Sequence, residues 1–190
     1  MSVTKYQKGY MPIAGTKLVF DTNIWLALCW PMYNSSTNQI KKDMDTAAVA
    51  FLKSCINSKY KVLLPAIIVS EIINRIYRVE LAKYQKQHSG TSLKEFRTTL
   101  EGKETTRDIL QVIVSQICQF QRKGYIENID DGFESFCLIN AIKEIPNLDF
   151  NDSIIADICE KNSAWLVTND SDFKAVQDKI NIITTKPGGL

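Results

Sequence analysis

The sequence has few residues of the kinds that build zinc sites. Its 190 residues include a single histidine, His88, and five cysteines among which there is no Cys-x-x-Cys pair. A zinc site made from Cys and His is therefore not expected. The cysteines are odd in number and lie within apolar stretches, which predicts buried, reduced thiols in a cytoplasmic protein.

Strong charge bias and long apolar runs are also absent. The net charge is +2, so any contact with nucleic acid must come from a local patch. The apolar segment 18–30 is interrupted by Asp21 and Asn23 and is too short to span a bilayer. Residues 1–15 lack the apolar core of a signal peptide. We therefore expect a soluble, cytoplasmic protein with no membrane partner.

The chain is rich in apolar residues, which make up 45% of it, and their spacing alternates between strand and helix periods. Strands are predicted at 17–20, 61–64, 125–129, 165–168 and 180–184. Helices are predicted at 24–29, 43–58, 66–87, 104–122, 130–143, 152–162 and 171–177. This alternation predicts an α/β protein with three α/β/α layers and a mainly parallel central sheet.

The length fits a single domain spanning residues 1–190. We expect its core at about 17–184, a helical arm inserted at about 85–124, and a loose C-terminal tail at 185–190. The apolar stripe between Ile109 and Phe120 is predicted to face the core and not a partner.

Four acidic residues occur where a predicted strand gives way to a loop or a helix. Asp21 and Asp170 follow strands, Glu71 lies one helical turn beyond a strand, and Asp152 opens an apolar helix. Ligands of open parallel sheets bind at the carboxyl ends of the strands, so these carboxylates are expected to meet. Four carboxylates together repel one another unless a cation neutralises them. Ligands that are all oxygen suit Mg²⁺ or Mn²⁺.

The motifs around these acids are more specific than their number. They read, in order, Val-Phe-Asp-Thr-Asn at 19–23, Val-Ser-Glu-Ile at 69–72, Asn-Asp-Ser-Ile-Ile-Ala at 151–156 and Leu-Val-Thr-Asn-Asp-Ser-Asp-Phe at 166–173. In this order they resemble the PIN-domain nucleases, and most closely the toxin ribonucleases of the VapC type. The resemblance covers about 17–184 and implies a PIN-like fold. It also implies that Asp21, Glu71, Asp152 and Asp170 are the metal-binding, catalytic acids.

Further residues are expected to orient the substrate. The resemblance matches Asn23 and Thr168 to polar residues that orient the acids or the phosphate, and Asp172 to the second acid of the last motif. Arg75 and Arg78 share one helical stripe with Glu71 and are expected to position the substrate. The alternative for these arginines is a set of weak helix ion pairs with Glu71.

The activity that the resemblance implies is hydrolysis of RNA by water, leaving a 5′-phosphate and a 3′-hydroxyl. A divalent ion offsets the charge of the phosphodiester and lowers the pKa of its bound water to ~7, so no histidine base is needed. RNA is then the substrate. A separately encoded antitoxin protein and a second copy of the chain are the further partners that the resemblance implies.

A basic cluster follows the second strand. Its members are Arg75, Arg78, Lys83, Lys86, Lys94, Arg97, Lys103 and Arg107. These side chains could grip RNA phosphates, or they could form a solvated helix face, since acids are interspersed. The same region could instead dock a protein partner or a second copy.

Each acid also has a purely structural alternative as a turn residue, a solvated helix residue or a helix N-cap. At the level of function, the alternative is a catalytically inactive PIN module acting in RNA binding or assembly. A phospho-receiver is disfavoured, because its acceptor aspartate would have to follow Leu64, where the chain has Pro65.

Overall fold

The computed structural model describes residues 3–5, 12–13, 15–30, 39–57, 60–144, 147–186 and 189–190. Within them lie six strands: β1 (Val3–Lys5), β2 (Lys17–Phe20), β3 (Lys61–Pro65), β4 (Ile126–Ile129), β5 (Trp165–Val167) and β6 (Ile182–Thr184). The α-helices are α1 (Thr22–Cys29), α2 (Gln39–Asn57), α3 (Ala66–Tyr84), α4 (Leu93–Phe96), α5 (Leu100–Arg122), α6 (Leu138–Glu144) and α7 (Phe150–Lys161). Two 3₁₀ helices span Phe133–Ser135 and Ser171–Val176.

The strands form one sheet in the order β1-β6-β5-β2-β3-β4, and every pair of described strands is parallel. Leu18, Val19 and Phe20 of β2 are completely buried, as expected for a strand covered on both faces by helices. The predicted α/β class with a parallel sheet flanked by helices is confirmed.

Strand β2 lies at the point where the direction of winding reverses. The chain proceeds from β2 to β3 and β4 on one side, then crosses to β5 and β6 on the other side of β2. Parallel sheets of this kind bind ligands in the crevice outside the carboxyl ends of the two strands that flank the reversal. Here those strands are β2 and β5, which pair through Leu18–Trp165, Val19–Leu166 and Phe20–Val167.

The predicted helix at 130–143 is wrong over its first half. Gly132 adopts a positive φ of 64°, and its N–H donates to the Asp130 carboxylate at 2.6 Å, which makes a turn. The sequence offers Asp130 or Asp131 as the cap of this helix, but Asp131 instead accepts a hydrogen bond from Ile67 N at 3.2 Å, at the start of α3. The α-helix begins only at Leu138.

Other differences from the sequence prediction include a whole strand and the start of a helix. Strand β1 was not predicted. It is three residues long and forms by pairing with β6 at the other end of the chain, through Val3–Ile182. Helix α2 begins at Gln39, not at Asp43, because the residues 39–42 contain no glycine or proline to stop it. Part of the loop predicted at 30–42 lies outside the described residues.

Helix α5 belongs to the core. Ile113 and Ile117 are buried in the main apolar cluster, and Ile109, Leu110 and Phe120 pack against that cluster. The prediction that this stripe faces the core is confirmed except at Val112, which is 50% exposed. Leu190, in the tail predicted to be loose, also packs against the core. No helix among the described residues is both long enough and apolar enough to cross a bilayer.

The five cysteines are free thiols, but they are not all buried. Cys29, Cys55 and Cys159 are buried, Cys118 is partly buried and Cys137 is exposed. Burial raises the pKa of the Cys29 and Cys55 thiols to about 12, so both are inert near neutral pH.

Replacing Ile113 by alanine should destabilise the protein by roughly 2–4 kcal/mol, because it leaves a cavity between α5 and the rest of the core. The neighbouring Val112 is 50% exposed, and Val112→Ala should cost less than about 0.5 kcal/mol. Urea unfolding of both variants measures the difference. Equal, small losses would mean that α5 is not part of the cooperative core.

Candidate functional site

One cleft brings the four predicted acids together. Asp21, Glu71, Asp152 and Asp170 all line it, and its volume is about 370 Å³. The other lining residues are Thr22, Asn23, Leu26, Asn74, Arg75, Arg78, Asp149 and Asn151. The cleft therefore lies at the carboxyl ends of β2 and β5, where the winding of the sheet reverses.

Asp21 is the most deeply placed of the acids. It follows β2 directly, its side chain is only 5% exposed, and its backbone N–H donates to Val167 O of β5 at 3.0 Å. Its Oδ2 accepts hydrogen bonds from Thr168 Oγ1 and from Asn23 Nδ2, each at 2.5 Å. Burial, together with the charges of Glu71 and Asp170, raises the pKa of Asp21 to about 7, although the Thr168 hydrogen bond opposes that shift.

Glu71 connects three helices across the cleft. It projects from α3, and its Oε2 accepts a hydrogen bond from Thr22 Oγ1 of α1 at 2.7 Å. Its Oε1 accepts one from Asn151 Nδ2 of α7 at 2.8 Å. Both carboxylate oxygens are therefore held by donors of the protein itself.

Asp152, predicted to open its helix, lies in the first turn of α7, which begins two residues earlier at Phe150. Asp149 caps this helix, since its Oδ1 accepts a hydrogen bond from Asp152 N at 2.8 Å. Burial raises the pKa of Asp152 to about 8, and the charges of Asp149, Asp21, Glu71 and Asp170 act in the same direction. Loss of solvation is the larger cause, and repulsion by these neighbouring carboxylates further destabilises the ionised form.

Thr168 and Asp170 follow β5, and Asp170 lines the cleft while Thr168 lies buried behind it. The Thr168 side chain is completely buried; its Oγ1 accepts a hydrogen bond from Asp170 N at 2.9 Å while it donates to Asp21. Asp170 is exposed at the cleft, and its Oδ1 accepts a hydrogen bond from Asp172 N at 3.0 Å. Asp172 is itself exposed and does not line the cleft.

The two predicted arginines lie at the rim. Arg75 and Arg78 are exposed on α3 and line the cleft on the side of Glu71. No ion pair between either arginine and Glu71 occurs in the part of the chain that the structure describes. Their charges are therefore directed to the cleft and to solvent.

Sequence reasoning missed four polar residues of the cleft: Thr22, Asn74, Asp149 and Asn151. For Asp149, the signal was its position three residues before Asp152, the spacing between an N-cap and the N–H it accepts. Thr22 and Asn151 stand inside the quoted motifs. Their hydrogen bonds to Glu71 could not be read from them, because Glu71 lies 49 and 80 residues away in sequence.

The carboxylates are not gathered around a single point. In the described ranges, no group of three or more His, Cys, Asp or Glu side chains is placed to hold a metal ion. The hydrogen bonds explain this arrangement, since Glu71 and Asp21 face donors from Thr22, Asn151, Thr168 and Asn23. The chemistry of the four acids nevertheless fits a hard cation, because each of them offers only carboxylate oxygens as ligands.

One further oxygen fits a cation. Asn23 Oδ1 is buried beside Asp21 and accepts no hydrogen bond within the described residues. A buried carbonyl oxygen without a donor costs free energy, and a bound cation would remove that cost.

No protein-family model matches the chain, and no curated protein matches it. Among solved structures, the crystal structure of VapBC2 from Rickettsia felis bound to a DNA fragment from their promoter aligns with a TM-score of 0.49 and 18% sequence identity. The alignment covers 89% of this chain and 99% of that chain. At these low values, any functional conclusion has to come from the residues of the cleft.

Because the folded protein raises the pKa of Asp21 from 3.8 to about 7, it binds that proton more tightly than the unfolded chain does. The free energy of unfolding should therefore fall as the pH rises from about 4 to about 8, with Asp152 acting in the same window. In buffer that contains a metal chelator, the free energy of unfolding of the Asp21→Asn variant should fall less with rising pH. At pH 8 this variant should be more stable than the wild type by roughly 1–3 kcal/mol.

Urea unfolding at pH 5 and pH 8 measures the effect. Asp178→Asn, an exposed residue that does not line the cleft, is the matched control and should leave the pH dependence unchanged. The proposed repulsion would be contradicted if the difference in free energy of unfolding between wild type and Asp21→Asn were the same at pH 5 and pH 8.

Proposed function

We propose that this chain is a divalent-metal-dependent endoribonuclease that hydrolyses RNA in the cleft between the ends of β2 and β5. The observation that carries the proposal is the convergence of four carboxylates from distant segments at the point of winding reversal, with two arginines at the rim. The order of the motifs, which resembles that of the PIN-domain nucleases, supports the same activity.

The residues that would hold Mg²⁺ or Mn²⁺ are Asp21, Glu71, Asp152 and Asp170, with Asn23 Oδ1 as an additional oxygen donor. When bound, the ion would offset the charge of the phosphodiester and lower the pKa of the attacking water. The pKa of Asp21 and of Asp152 is raised mainly by burial and further by repulsion between the acids, and a bound cation would offset that repulsion.

The chain's own residues have separable tasks in this scheme. Thr168 links the two sides of the cleft, because its hydroxyl donates to Asp21 and accepts from the backbone N–H of Asp170. Thr22 and Asn151 hold Glu71 in the absence of a cation and would release it to one. Arg75 and Arg78 would bind the RNA phosphates next to the scissile bond.

The resemblance to VapC-type toxins supports a narrower proposal. The ribonuclease would be the toxin of a toxin–antitoxin pair, held inactive by a separate antitoxin protein, and a homodimer would be its assembled form. Growth arrest on expression, relieved by Asp21→Asn and accompanied by a short open reading frame beside the gene, tests this proposal.

A catalytically inactive PIN module that binds RNA or assembles with other proteins is the second candidate. The observation that favours it is the absence, within the described part of the chain, of acids gathered for a single ion. If the purified protein bound Mn²⁺ but cleaved no RNA in a total cellular RNA preparation, the result would support the catalytically inactive module.

With Mn²⁺, the purified protein should cleave total cellular RNA to products that carry a 5′-phosphate and a 3′-hydroxyl, and chelator should stop cleavage. Asp21→Asn, Asp152→Asn or Asp170→Asn should lower the rate by more than about 100-fold, since even residues that only support metal ligands cost 10- to 100-fold. End-sequencing of the products and rate measurement check both points.

The matched control is again Asp178→Asn, which removes one carboxylate from outside the cleft and should retain the wild-type rate. If Asp21→Asn cleaved RNA at the wild-type rate, the cleft would not be the catalytic site.

Thr168→Val keeps the size and shape of a completely buried side chain but removes the hydroxyl that joins Asp21 to Asp170. We expect activity to fall by about 10- to 100-fold, with part of the loss recovered at higher Mn²⁺ concentration. Rates measured over a range of Mn²⁺ concentrations test this. A loss of activity that does not change with the Mn²⁺ concentration would mean that Thr168 does not position the acids.

A further inference from the structure

A surface of basic and aromatic side chains leads away from the cleft across α3. Asn74 lines the cleft, and its Oδ1 accepts a hydrogen bond from Arg97 Nη2 at 2.9 Å. Arg97 lies directly after α4, outside the cleft. Asn74 therefore connects the candidate active site to a cation that the cleft itself does not contain.

The Arg97 guanidinium lies over an aromatic ring. Its Cζ lies 4.7 Å from the centroid of the Tyr77 ring, a cation–π contact. The turn that carries Arg97 is closely packed: Ser92 and Glu95 form a capping box at α4, and a Cβ on Gly102 would lie 2.1 Å from Phe96 O. Arg97 is thus presented on a fixed support and remains exposed.

Tyr77 also forms the start of a groove between α3 and α5. The groove has a volume of about 450 Å³ and is lined in addition by Lys103, Arg107, Leu110, Gln111, Val114 and Ser115. Lys103 and Arg107 are four residues apart and so share one helix face. Glu104 follows Lys103, and Asp108 follows Arg107. One residue is a rotation of about 100° around the helix axis, so the two acids face away from the groove, and neither lines it.

We propose that this path, from the cleft over Arg97 and Tyr77 into the α3–α5 groove, binds the single-stranded RNA that adjoins the scissile phosphate. The proposal rests on the function proposed above and specifies the substrate as an extended single strand. Arg97, Lys103 and Arg107 neutralise successive phosphates. The stacked guanidinium, with Leu110 and Val114, offers flat and apolar surface to unpaired bases, which a duplex keeps inside its stack.

The charge of the groove favours RNA over a protein or a second copy as the occupant. Its lining contains two cations and no acid, and Asn74, Arg97 and Tyr77 connect it to the cleft proposed to bind a phosphodiester. Contacts with the groove should therefore increase the affinity for RNA that is long enough to reach it. They should not affect a dinucleotide, which would occupy only the cleft.

The test measures binding of a fluorescent 12-nucleotide single-stranded RNA in chelator, by anisotropy, across about 50–200 mM salt. The double variant Lys103→Glu/Arg107→Glu should weaken binding by at least about tenfold. It should reduce the slope of log affinity against log salt by about 1.4, because each lost phosphate contact contributes about 0.7 for single strands. A dinucleotide should bind both proteins equally.

The matched control is Arg122→Glu/Lys123→Glu, which makes the same change in net charge at exposed positions outside the basic cluster that line neither the cleft nor the groove. It should keep the wild-type slope. Arg97→Lys retains the charge but not the flat stacked surface, so it should lower the affinity and leave the slope unchanged. Circular dichroism verifies that each variant is folded.

Equal affinity and slope for wild type and Lys103→Glu/Arg107→Glu would overturn the proposal. So would an equal loss in the control pair. If the groove variant leaves RNA binding intact but converts a dimer to a monomer in sedimentation, the groove is an interface between copies instead. Since binding is read without cleavage, a protein that shows the predicted losses but cleaves no RNA retains this path and refutes only the ribonuclease proposal.

Discussion

Mutual repulsion of carboxylates is the constraint on which the rest of the cleft depends. Asp21 and Asp152 both line the cleft. The pKa of each is raised by burial and by the neighbouring acids. A fold that keeps such groups together loses stability at neutral pH unless something binds there. The unpaired Asn23 Oδ1 beside Asp21 adds to that cost. This accumulated cost is the physical reason for proposing a binding site in the cleft.

Hydrogen bonds determine how the acids are arranged in the absence of a cation. Thr22 and Asn151 hold both oxygens of Glu71, and Thr168 and Asn23 both donate to one oxygen of Asp21. The residues that would support a metal site therefore also keep its ligands apart. This explains how four acids can line one cleft without forming a ready-made cage.

The errors in the sequence prediction have a common physical origin. Asp130 or Asp131 was expected to cap its own helix, but the Asp131 carboxylate serves the N-terminus of α3, which is 64 residues away in sequence. Strand β1 exists because the other end of the chain supplies its partner. Local patterns report local preferences, and they carry no information about a partner that only folding brings near. Apart from Val112, the α5 stripe was predicted correctly because its burial follows from helical periodicity alone.

The sequence by itself determined the alternation of strands and helices and the placement of Asp21, Glu71, Asp152 and Asp170 next to strand ends. Those features follow from apolar spacing, and spacing is a property of neighbours along the chain. Tertiary structure alone decided that Asp149 and Asn151 join the cleft, that Asp172 does not line it, and that Asn74, Arg97 and Tyr77 connect the cleft to a second groove. These contacts join segments that only the winding of the sheet and the packing of α5 on α3 bring within hydrogen-bonding distance.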